Sequence, residues 1–248
     1  MRYRLAGIAP DAAERLRPFL EELGRLPGPV PLSVLLYGSA VTPDYLPGRS
    51  DVNVLIYRDP PDGPYLDELF RLAWRHRPRR IAAPLVLTPQ YLQGAMDATP
   101  IEIFDLKLNY RLLFGEDFLQ PVRIARSHLR LHCEHQLRRL YLHLQQSYIR
   151  VGGDPTELRE LLRSSLVGYL AVFRALLTLL GGRLPPARDE TIVELGRRME
   201  LDVRPVQAVA DLRRRGVRAD VDALKREYLA LHGFVGQLMY RVDAMAEA

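Results

Sequence analysis

The sequence predicts an α/β domain with a mixed sheet and helical cover, followed by an all-α helical bundle. Two observations carry this prediction. Up to about residue 120, short apolar runs alternate with helical patterns, which is typical of strands separated by helices. Beyond about residue 122 no further strand pattern occurs, and apolar residues recur at helical spacing. The predicted division is therefore 1–120 for the α/β domain and 121–248 for the bundle.

The elements of the first half follow from start and stop signals. A helix is predicted to begin near Asp11, with Glu14 three residues later in a capping-box arrangement. Thr88 and Pro89 predict the N-cap and first residue of a short helix that ends near Asp97. A further helix is predicted through 66–74, after a turn at 60–64. Strands are predicted at 32–37, 51–57, 81–87 and 101–106.

The second half reads as a series of helices separated by glycine and proline. Helices are predicted at 122–150, 155–180, 189–199, 205–215 and from about 220 almost to the end. The second of these is apolar over most of its surface, so we expect it to be the buried central member of the bundle.

Composition indicates an ordinary globular protein. Hydrophobic residues make up 48% of the chain and charged residues 26%, and the single cysteine fits a reducing compartment. We see no stretch of the length of a membrane span and no signal-peptide pattern, so we expect a cytoplasmic protein without membrane contact. The net charge of +5 favours anionic ligands, either triphosphates or nucleic acid.

One segment points to a particular chemistry. The apolar run 34–36 leads into Tyr37, Gly38 and Ser39, and after eleven intervening residues Asp51 and Asn53 begin a second apolar run. Glycine lets a phosphate approach the backbone closely, and serine offers both an N–H and a hydroxyl. Residues 51 and 53 would project from one face of a strand, where they could hold the Mg²⁺ that accompanies a phosphate.

This segment resembles the nucleotidyltransferase superfamily, which includes DNA polymerase β and the aminoglycoside nucleotidyltransferases. Gly38, Ser39 and Asp51 match its pattern, whereas Asn53 stands where the family has its second carboxylate. The resemblance implies two Mg²⁺ ions that carry a nucleoside triphosphate, for which ATP is our expectation. The two-domain plan also resembles the aminoglycoside enzymes, in which the acceptor lies between sheet and bundle. The run 103–117 resembles the end of the catalytic domain in bacterial relatives.

The resemblance further implies a third carboxylate on a later strand. Glu102, on the predicted strand 101–106, resembles the glutamate that acts as base in the aminoglycoside adenylyltransferases. Asp105 would lie on the opposite strand face, so it is the reserve candidate for the same role. The alternative is that Glu102 only caps or pairs at the start of the strand.

Several basic groups offer further contacts. Arg49 precedes the acidic strand and is a candidate for phosphate binding, with a solvated loop charge as the equal alternative. The cluster 75–80 could touch nucleic acid, but no aromatic residue interleaves it, so a solvated turn is favoured.

A histidine stripe marks the predicted helix 122–150. It could bind zinc, line a cleft or face solvent, and the last is favoured because a further ligand is missing from that face. Arginine and histidine also recur there at a spacing that resembles the HEPN ribonucleases. The stripe consists of His128, His132, His135 and His143, and the two spaced pairs are Arg123 with His128 and Arg130 with His135.

Three functions remain open. The sequence favours an enzyme that transfers a nucleoside monophosphate from Mg-NTP to a hydroxyl of a small molecule or protein, with Asp51, Asn53 and Glu102 at the metal. The second is a nucleotidyltransferase-fold protein that binds nucleotide or a partner and has lost turnover through Asn53. The third is a HEPN-type ribonuclease. A homodimer stays open, and nucleic acid is the less favoured ligand.

Overall fold

The chain forms two compact units, residues 1–124 and 125–248, in the computed structural model. The structure describes residues 2–28, 31–59, 63–151, 153–165, 168–215 and 220–245. The sequence patterns place the division at residue 120, and the structure separates the units between Ile124 and Ala125. The predicted turn at 60–64 lies partly outside the described residues.

A four-stranded mixed sheet organises the first unit, in agreement with the predicted fold class. Its strands are β1 (Ser33–Tyr37), β2 (Asn53–Tyr57), β3 (Leu85–Leu87) and β4 (Tyr110–Gly115), in the order β3-β2-β1-β4. The central strand β1 pairs antiparallel with both β2 and β4, and β3 pairs parallel with β2.

Helices cover both faces of this sheet. They are α1 (Pro10–Leu23), α2 (Gly63–His76), α3 (Pro89–Ala98) and α4 (Pro100–Leu108). Successive side chains of a strand point to opposite faces of the sheet. Val34 and Val54 therefore pack in one core with α1 and α2, and Leu35 and Leu55 pack in a second core with α3 and α4. Thr88 caps α3 as predicted, since its hydroxyl accepts a hydrogen bond from the Tyr91 N–H at 3.0 Å.

The prediction of a strand at 101–106 is wrong, because this segment is the helix α4. Pro100 occupies the first helical turn, where its missing N–H costs nothing. Ile101, Ile103 and Phe104 are buried, which is a helical spacing that a short apolar run does not distinguish from a strand. The fourth strand is instead β4, which follows α4 directly.

The predicted capping box at Asp11 is also wrong. The N-cap of α1 is Ala9, which makes no side-chain cap hydrogen bond, and Asp11 lies within the first turn. Its carboxylate contacts the loop that carries the site, as described below.

The second unit consists of helices in its described parts. They are α5 (Arg126–Val151), α6 (Pro155–Ser165), α7 (Tyr169–Leu179), α8 (Arg188–Met199), α9 (Arg204–Arg215) and α10 (Val221–Asp243). The predicted single helix 155–180 is two helices, and Gly168 precedes the second with a φ of +88°. Residues Leu166 and Val167 of that prediction lie outside the described residues. Helix α5 packs against both α7 and α10.

One stretch of this unit has the composition of a membrane span, contrary to our expectation from sequence. Within residues 155–179, an 18-residue window has a mean hydropathy of 1.4, and 56% of that window is buried inside the protein. A buried helix at the core of a soluble bundle passes the same test, so the stretch is weak evidence for a membrane.

Candidate functional site

The register of the central strands brings the two sequence motifs to one edge of the sheet. Tyr37, the last residue of β1, pairs with Asn53, the first residue of β2. Gly38 to Val41 then form a short 3₁₀ helix directly after β1. The Gly38 N–H donates to the carbonyl of Asn109 at 3.1 Å, which ties this turn to the residue before β4. The Gly38–Ser39 turn therefore lies where β2 begins.

Glycine is required at the start of this turn. Gly38 has a φ of +76°, and a Cβ at this position would lie 2.9 Å from the amide nitrogen of Asn53. The turn closes through Thr42, whose N–H and hydroxyl donate to the Ser39 carbonyl at 2.9 and 3.2 Å. The Asn53 amide thus lies beside the backbone that the sequence assigns to phosphate binding.

Helix α1 anchors the loop that joins the two motifs. The Asp11 carboxylate accepts hydrogen bonds from the Tyr45 hydroxyl and from the Gly48 N–H, the latter at 3.5 Å. Arg15 reaches the same carboxylate at 3.2 Å and donates to the Ser50 carbonyl at 2.9 Å. These contacts hold the middle and the C-terminal end of the loop against one helix, directly before β2 begins.

The electrostatics of this anchor shift two ionisation equilibria. The hydrogen bond from Tyr45 is the main cause that lowers the pKa of Asp11, and Gly48 and Arg15 contribute further. Burial, with the hydrogen bond to Asp11 as a second cause, raises the pKa of Tyr45 to about 12. The carboxylate is therefore ionised and the phenol neutral at physiological pH.

Asp51 and Asn53 have different neighbours, and their projection from one strand face stays a prediction. Strand β2 begins at Asn53, and Asp51 lies before it with 58% of its side chain exposed. Its carboxylate pairs with the Arg80 guanidinium at 3.3 Å. Asp51 also lines a cavity of about 480 Å³ with Trp74 of α2.

The strand beside β2 offers no third carboxylate at this edge. Val52 forms an isolated parallel bridge with Ile81, and the ladder resumes where Leu55 pairs with Leu85. The residues between these two pairings on the β3 side are Ala82, Ala83 and Pro84. None of them carries an oxygen ligand in its side chain, so this neighbouring segment adds no anionic charge.

The two sequence candidates for the third carboxylate lie on α4 instead of on a strand. Glu102 is exposed in the first turn of this helix. Asp105 is partly buried and accepts a hydrogen bond from the Asn109 side chain at 3.3 Å. The strand that was to direct either of them toward Asp51 does not exist, and their catalytic roles stay predictions.

The oxygen ligands at this edge do not fit the two-magnesium centre that the resemblance implies. Of the two motif positions, Asp51 supplies a carboxylate that is paired with Arg80, while Asn53 supplies a neutral amide. Across the described ranges, no three His, Cys, Asp or Glu side chains are grouped so that they could hold a metal ion. The predicted histidine stripe on α5 is among these described residues, so we do not assign it to zinc.

Arg49 lies on the exposed part of the anchored loop. Its N–H donates to the Leu46 carbonyl at 3.0 Å, which fixes its backbone, and its side chain is exposed. Its contact with a phosphate stays a prediction.

Sequence reasoning missed the surface beside Asp51. It treated the cluster 75–80 as a solvated turn because no aromatic residue interleaves it. The structure places Phe70 and Trp74 of α2 next to Arg77 and Arg80 around one cavity. The helical spacing of 70, 74 and 77 was the available signal, since residues three and four apart share a helix face.

Comparison with known proteins supports the fold. Neither the protein-family models nor the curated proteins give a match to this sequence. Among solved structures, the chain is similar to the spectinomycin adenyltransferase AAD(9) from Enterococcus faecialis, whose crystal structure contains ATP and spectinomycin. The two share 14% identity with a TM-score of 0.55, over 94% of this chain and 98% of the other. The chain therefore has the fold of this nucleotidyltransferase.

Proposed function

We propose that this protein binds a nucleoside triphosphate at the Gly38–Ser39 turn and that it does so without depending on a divalent cation. The observation that carries the proposal is the contact of the turn with Asn53. The Asn53 amide nitrogen lies where it would touch a Cβ on Gly38, so it faces the backbone of the turn. A phosphate at the turn would meet an N–H donor there instead of a carboxylate.

The chemistry of the amide explains why a cation is dispensable. A carboxylate beside a triphosphate repels it unless a metal ion lies between them. An amide carries no charge and donates hydrogen bonds, so Asn53 would bind a phosphate oxygen directly. The Ser39 hydroxyl and the backbone N–H groups of the turn would contribute further donors. Asn53, Ser39 and the backbone of the turn would bind and orient the phosphates. None of these contacts requires that a nucleoside monophosphate be transferred.

Calorimetric titration with ATP tests this proposal. We expect saturable binding that persists when EDTA replaces Mg²⁺. Hydrogen bonds to a charged oxygen contribute about 1.5–3 kcal/mol, so Ser39→Ala should raise Kd about tenfold or more. Ser127→Ala, at an exposed serine of α5, is the matched control and should leave Kd unchanged. Binding that disappears with EDTA, or that is equal in Ser39→Ala, would contradict the proposal.

A second candidate is transfer of a nucleoside monophosphate to a hydroxyl of a small molecule. The fold shared with an adenyltransferase that was crystallised with ATP and spectinomycin favours it, as does the presence of Asp51. Pyrophosphate release from the four NTPs, with spectinomycin as a probe acceptor, tests this candidate. Release by the wild type that requires the acceptor hydroxyl and that Asp51→Ala abolishes would establish transfer. Equal background release in wild type, Asn53→Asp and Asp51→Ala would leave nucleotide binding as the function.

A further inference from the structure

Two aromatic rings lie open on α2, beside the end of the sheet that carries Asp51. Phe70 is 66% exposed and Trp74 is 63% exposed, with ring centroids 6.4 Å apart and an interplanar angle of 29°. Neither ring contributes to the core between α2 and the sheet, which α2 joins through Tyr65, Leu69 and Leu72. Adjacent exposed aromatic rings on a soluble protein usually mark a binding surface.

Arginine side chains surround these rings. The Arg77 guanidinium lies over the Trp74 ring at 5.5 Å from its centroid, and Arg80 lines the same cavity of about 480 Å³. We call Phe70, Trp74, Arg77 and Arg80 the Trp74 surface. Exposed Arg79 lies between the two arginines in the chain.

The positive charge of this region exceeds its negative charge. Of the five exposed arginines in 71–80, three pair with carboxylates: Arg71 with Glu68, Arg75 with Glu22, and Arg80 with Asp51. For the part of the chain that the structure describes, Arg77 and Arg79 have no such carboxylate partner. The Trp74 surface therefore combines open rings with one uncompensated cation, Arg77. Arg79 adds a second cation beside it in the chain, and exposed Asp67, one helical turn before Phe70, is the nearest further carboxylate on α2.

The backbone at Arg80 adds an independent observation. Arg80 has a φ of +55°, in the left-handed region that glycine adopts without cost and other residues rarely adopt. Its carbonyl accepts a hydrogen bond from the Val52 N–H at 2.9 Å, which fixes this conformation at the start of the β2–β3 pairing. A guanidinium is thus present at a position where glycine would relieve strain, and such strain is common at binding sites.

We propose that the Trp74 surface binds single-stranded nucleic acid. Every unpaired base has a π-face that stacks on exposed aromatic rings, and every linkage has a phosphate that arginine attracts. Rings alone would suit an apolar partner and cations alone would suit any polyanion. Their combination within one cavity suits a chain in which bases and phosphates alternate. A duplex fits less well, because its bases are already stacked on each other.

This proposal is independent of nucleotide binding at the Gly38–Ser39 turn. It uses none of Gly38, Ser39 or Asn53, and its failure would leave that proposal unchanged. Ser39→Ala should accordingly have no effect on binding of nucleic acid, whereas changes at the Trp74 surface should have no effect on calorimetric binding of ATP.

Trp74 is the single tryptophan of the chain, so intrinsic fluorescence reports on this surface alone. The first test is titration with a single-stranded oligoadenylate of about a dozen nucleotides, which matches the site sizes of such surfaces. We expect saturable quenching of Trp74 and an affinity that falls as salt rises. AMP at equal nucleotide concentration should quench little, and duplex DNA should bind more weakly.

The second test compares variants by anisotropy with a fluorescently labelled oligoadenylate. Trp74→Leu and Phe70→Leu should each raise Kd about fivefold to a hundredfold, the range for loss of one stacked base. Arg77→Ala should weaken binding and reduce the slope of log K against log salt by about one. Matched controls are Tyr91→Ala, at a ring that is 52% exposed on α3, and Arg25→Ala, at an exposed arginine.

Three outcomes would overturn the proposal. If Trp74 fluorescence is unchanged at saturating oligoadenylate, any binding is at another surface. Equal Kd for Trp74→Leu and wild type would show that stacking is not involved. If AMP quenches Trp74 with the same affinity per nucleotide as oligoadenylate, the surface is a mononucleotide site. Because Phe70 and Trp74 are exposed, these variants should keep the fold, which circular dichroism checks directly.

Discussion

The Gly38–Ser39 turn and the Trp74 surface differ in how their sequence relates to their chemistry. The turn keeps a motif that resembles a known family, and its glycine has the positive φ that the motif needs. The two predicted ligand positions nevertheless carry one carboxylate, Asp51, and one neutral amide, Asn53. The Trp74 surface has no recognisable motif, yet it offers open rings and arginines.

This comparison shows that the backbone geometry of a site can be kept while the chemistry of its ligand side chains changes. The strand register and the glycine turn depend on packing of the whole sheet. Replacement of one ligand side chain therefore leaves this backbone geometry in place. Metal binding depends on the charge of a few side chains, so a single Asn for a carboxylate is enough to change it. The predictions below alter either the shared sheet or one region at a time.

The largest effect is expected from Gly115→Ala, because it disturbs the sheet that supports both regions. Gly115 pairs with Ser33 of β1 and has a φ of +82°. An added Cβ would lie 1.9 Å from the Leu32 carbonyl oxygen, so the backbone must move. Overpacking and left-handed strain together should lower the free energy of unfolding by about 3 kcal/mol or more.

Urea unfolding measures this loss. Gly94→Ala is the matched control, because Gly94 lies within helix α3 and an added Cβ there meets no atom within 4 Å. Replacing a helical glycine by alanine should raise stability by up to about 1 kcal/mol. Equal stability of Gly115→Ala and wild type would show that β1 and β4 do not pair as described.

The next effect concerns the ligands of the turn alone. Asn53→Asp replaces an amide donor with a carboxylate, so ATP without Mg²⁺ should bind about tenfold more weakly or worse. Calorimetry with and without EDTA decides, and unchanged metal-free binding would contradict our assignment of Asn53.

Much of this architecture followed from the sequence, and the exceptions have physical causes. Thr88 was a recognisable helix cap because capping depends on local hydrogen bonds, and it accepts one in the structure. The segment 101–106 was misassigned because its apolar run suits either a helix or a strand, and Pro100 in the first turn marks the helix.

The site was predicted less completely than the fold. The spacing of Gly38 and Asn53 indicated that they would be neighbours, because a strand ends at one and begins at the other. The ion pair of Asp51 with Arg80 joins residues 29 positions apart and depends on the bridge between Val52 and Ile81. No local pattern encodes such a contact, so sequence reasoning could not place Arg80 beside Asp51.

A smaller effect is expected from Arg80→Gly, which separates stability from binding at the Trp74 surface. Glycine relieves the left-handed strain, and the exposed ion pair with Asp51 contributes little. The free energy of unfolding should rise by about 0.5–1 kcal/mol. Affinity for oligoadenylate should fall, since a phosphate contact is lost.

Glu200→Gly is the matched control for that variant. Glu200 has a φ of +53° at the end of α8, and its carboxylate lies 3.6 Å from Arg241. It should also raise stability, without any change in affinity for oligoadenylate. If Arg80→Gly leaves this affinity unchanged as well, the Arg80 side chain is not part of the nucleic-acid surface.

The smallest effect concerns the anchor of the site loop and depends on pH. The pKa of Asp11 is lowered from its ordinary value near 3.8, chiefly by the hydrogen bond from Tyr45. A carboxyl whose pKa is lower in the folded state stabilises the fold above its ordinary pKa, and this stabilisation is lost as pH falls through the lowered value.

Asp11→Asn should therefore reduce stability at about pH 6 and have much less effect at about pH 2. The side chain is 36% exposed, so after solvent screening we expect about 0.5–1 kcal/mol. Urea midpoints across this pH range measure the difference, with Asp97→Asn on the exposed face of α3 as control. Because Asp11 contacts Tyr45 and Gly48, loss of this anchor should also weaken ATP binding at the Gly38–Ser39 turn. Binding at the Trp74 surface should be weakened less, because Asp11 is linked to it through Arg15 and the 3.4 Å hydrogen bond from Arg15 to the Arg80 carbonyl. Equal losses of ATP affinity and of oligoadenylate affinity would mean that the loop and the Trp74 surface change as one unit. The two regions would then not be separable.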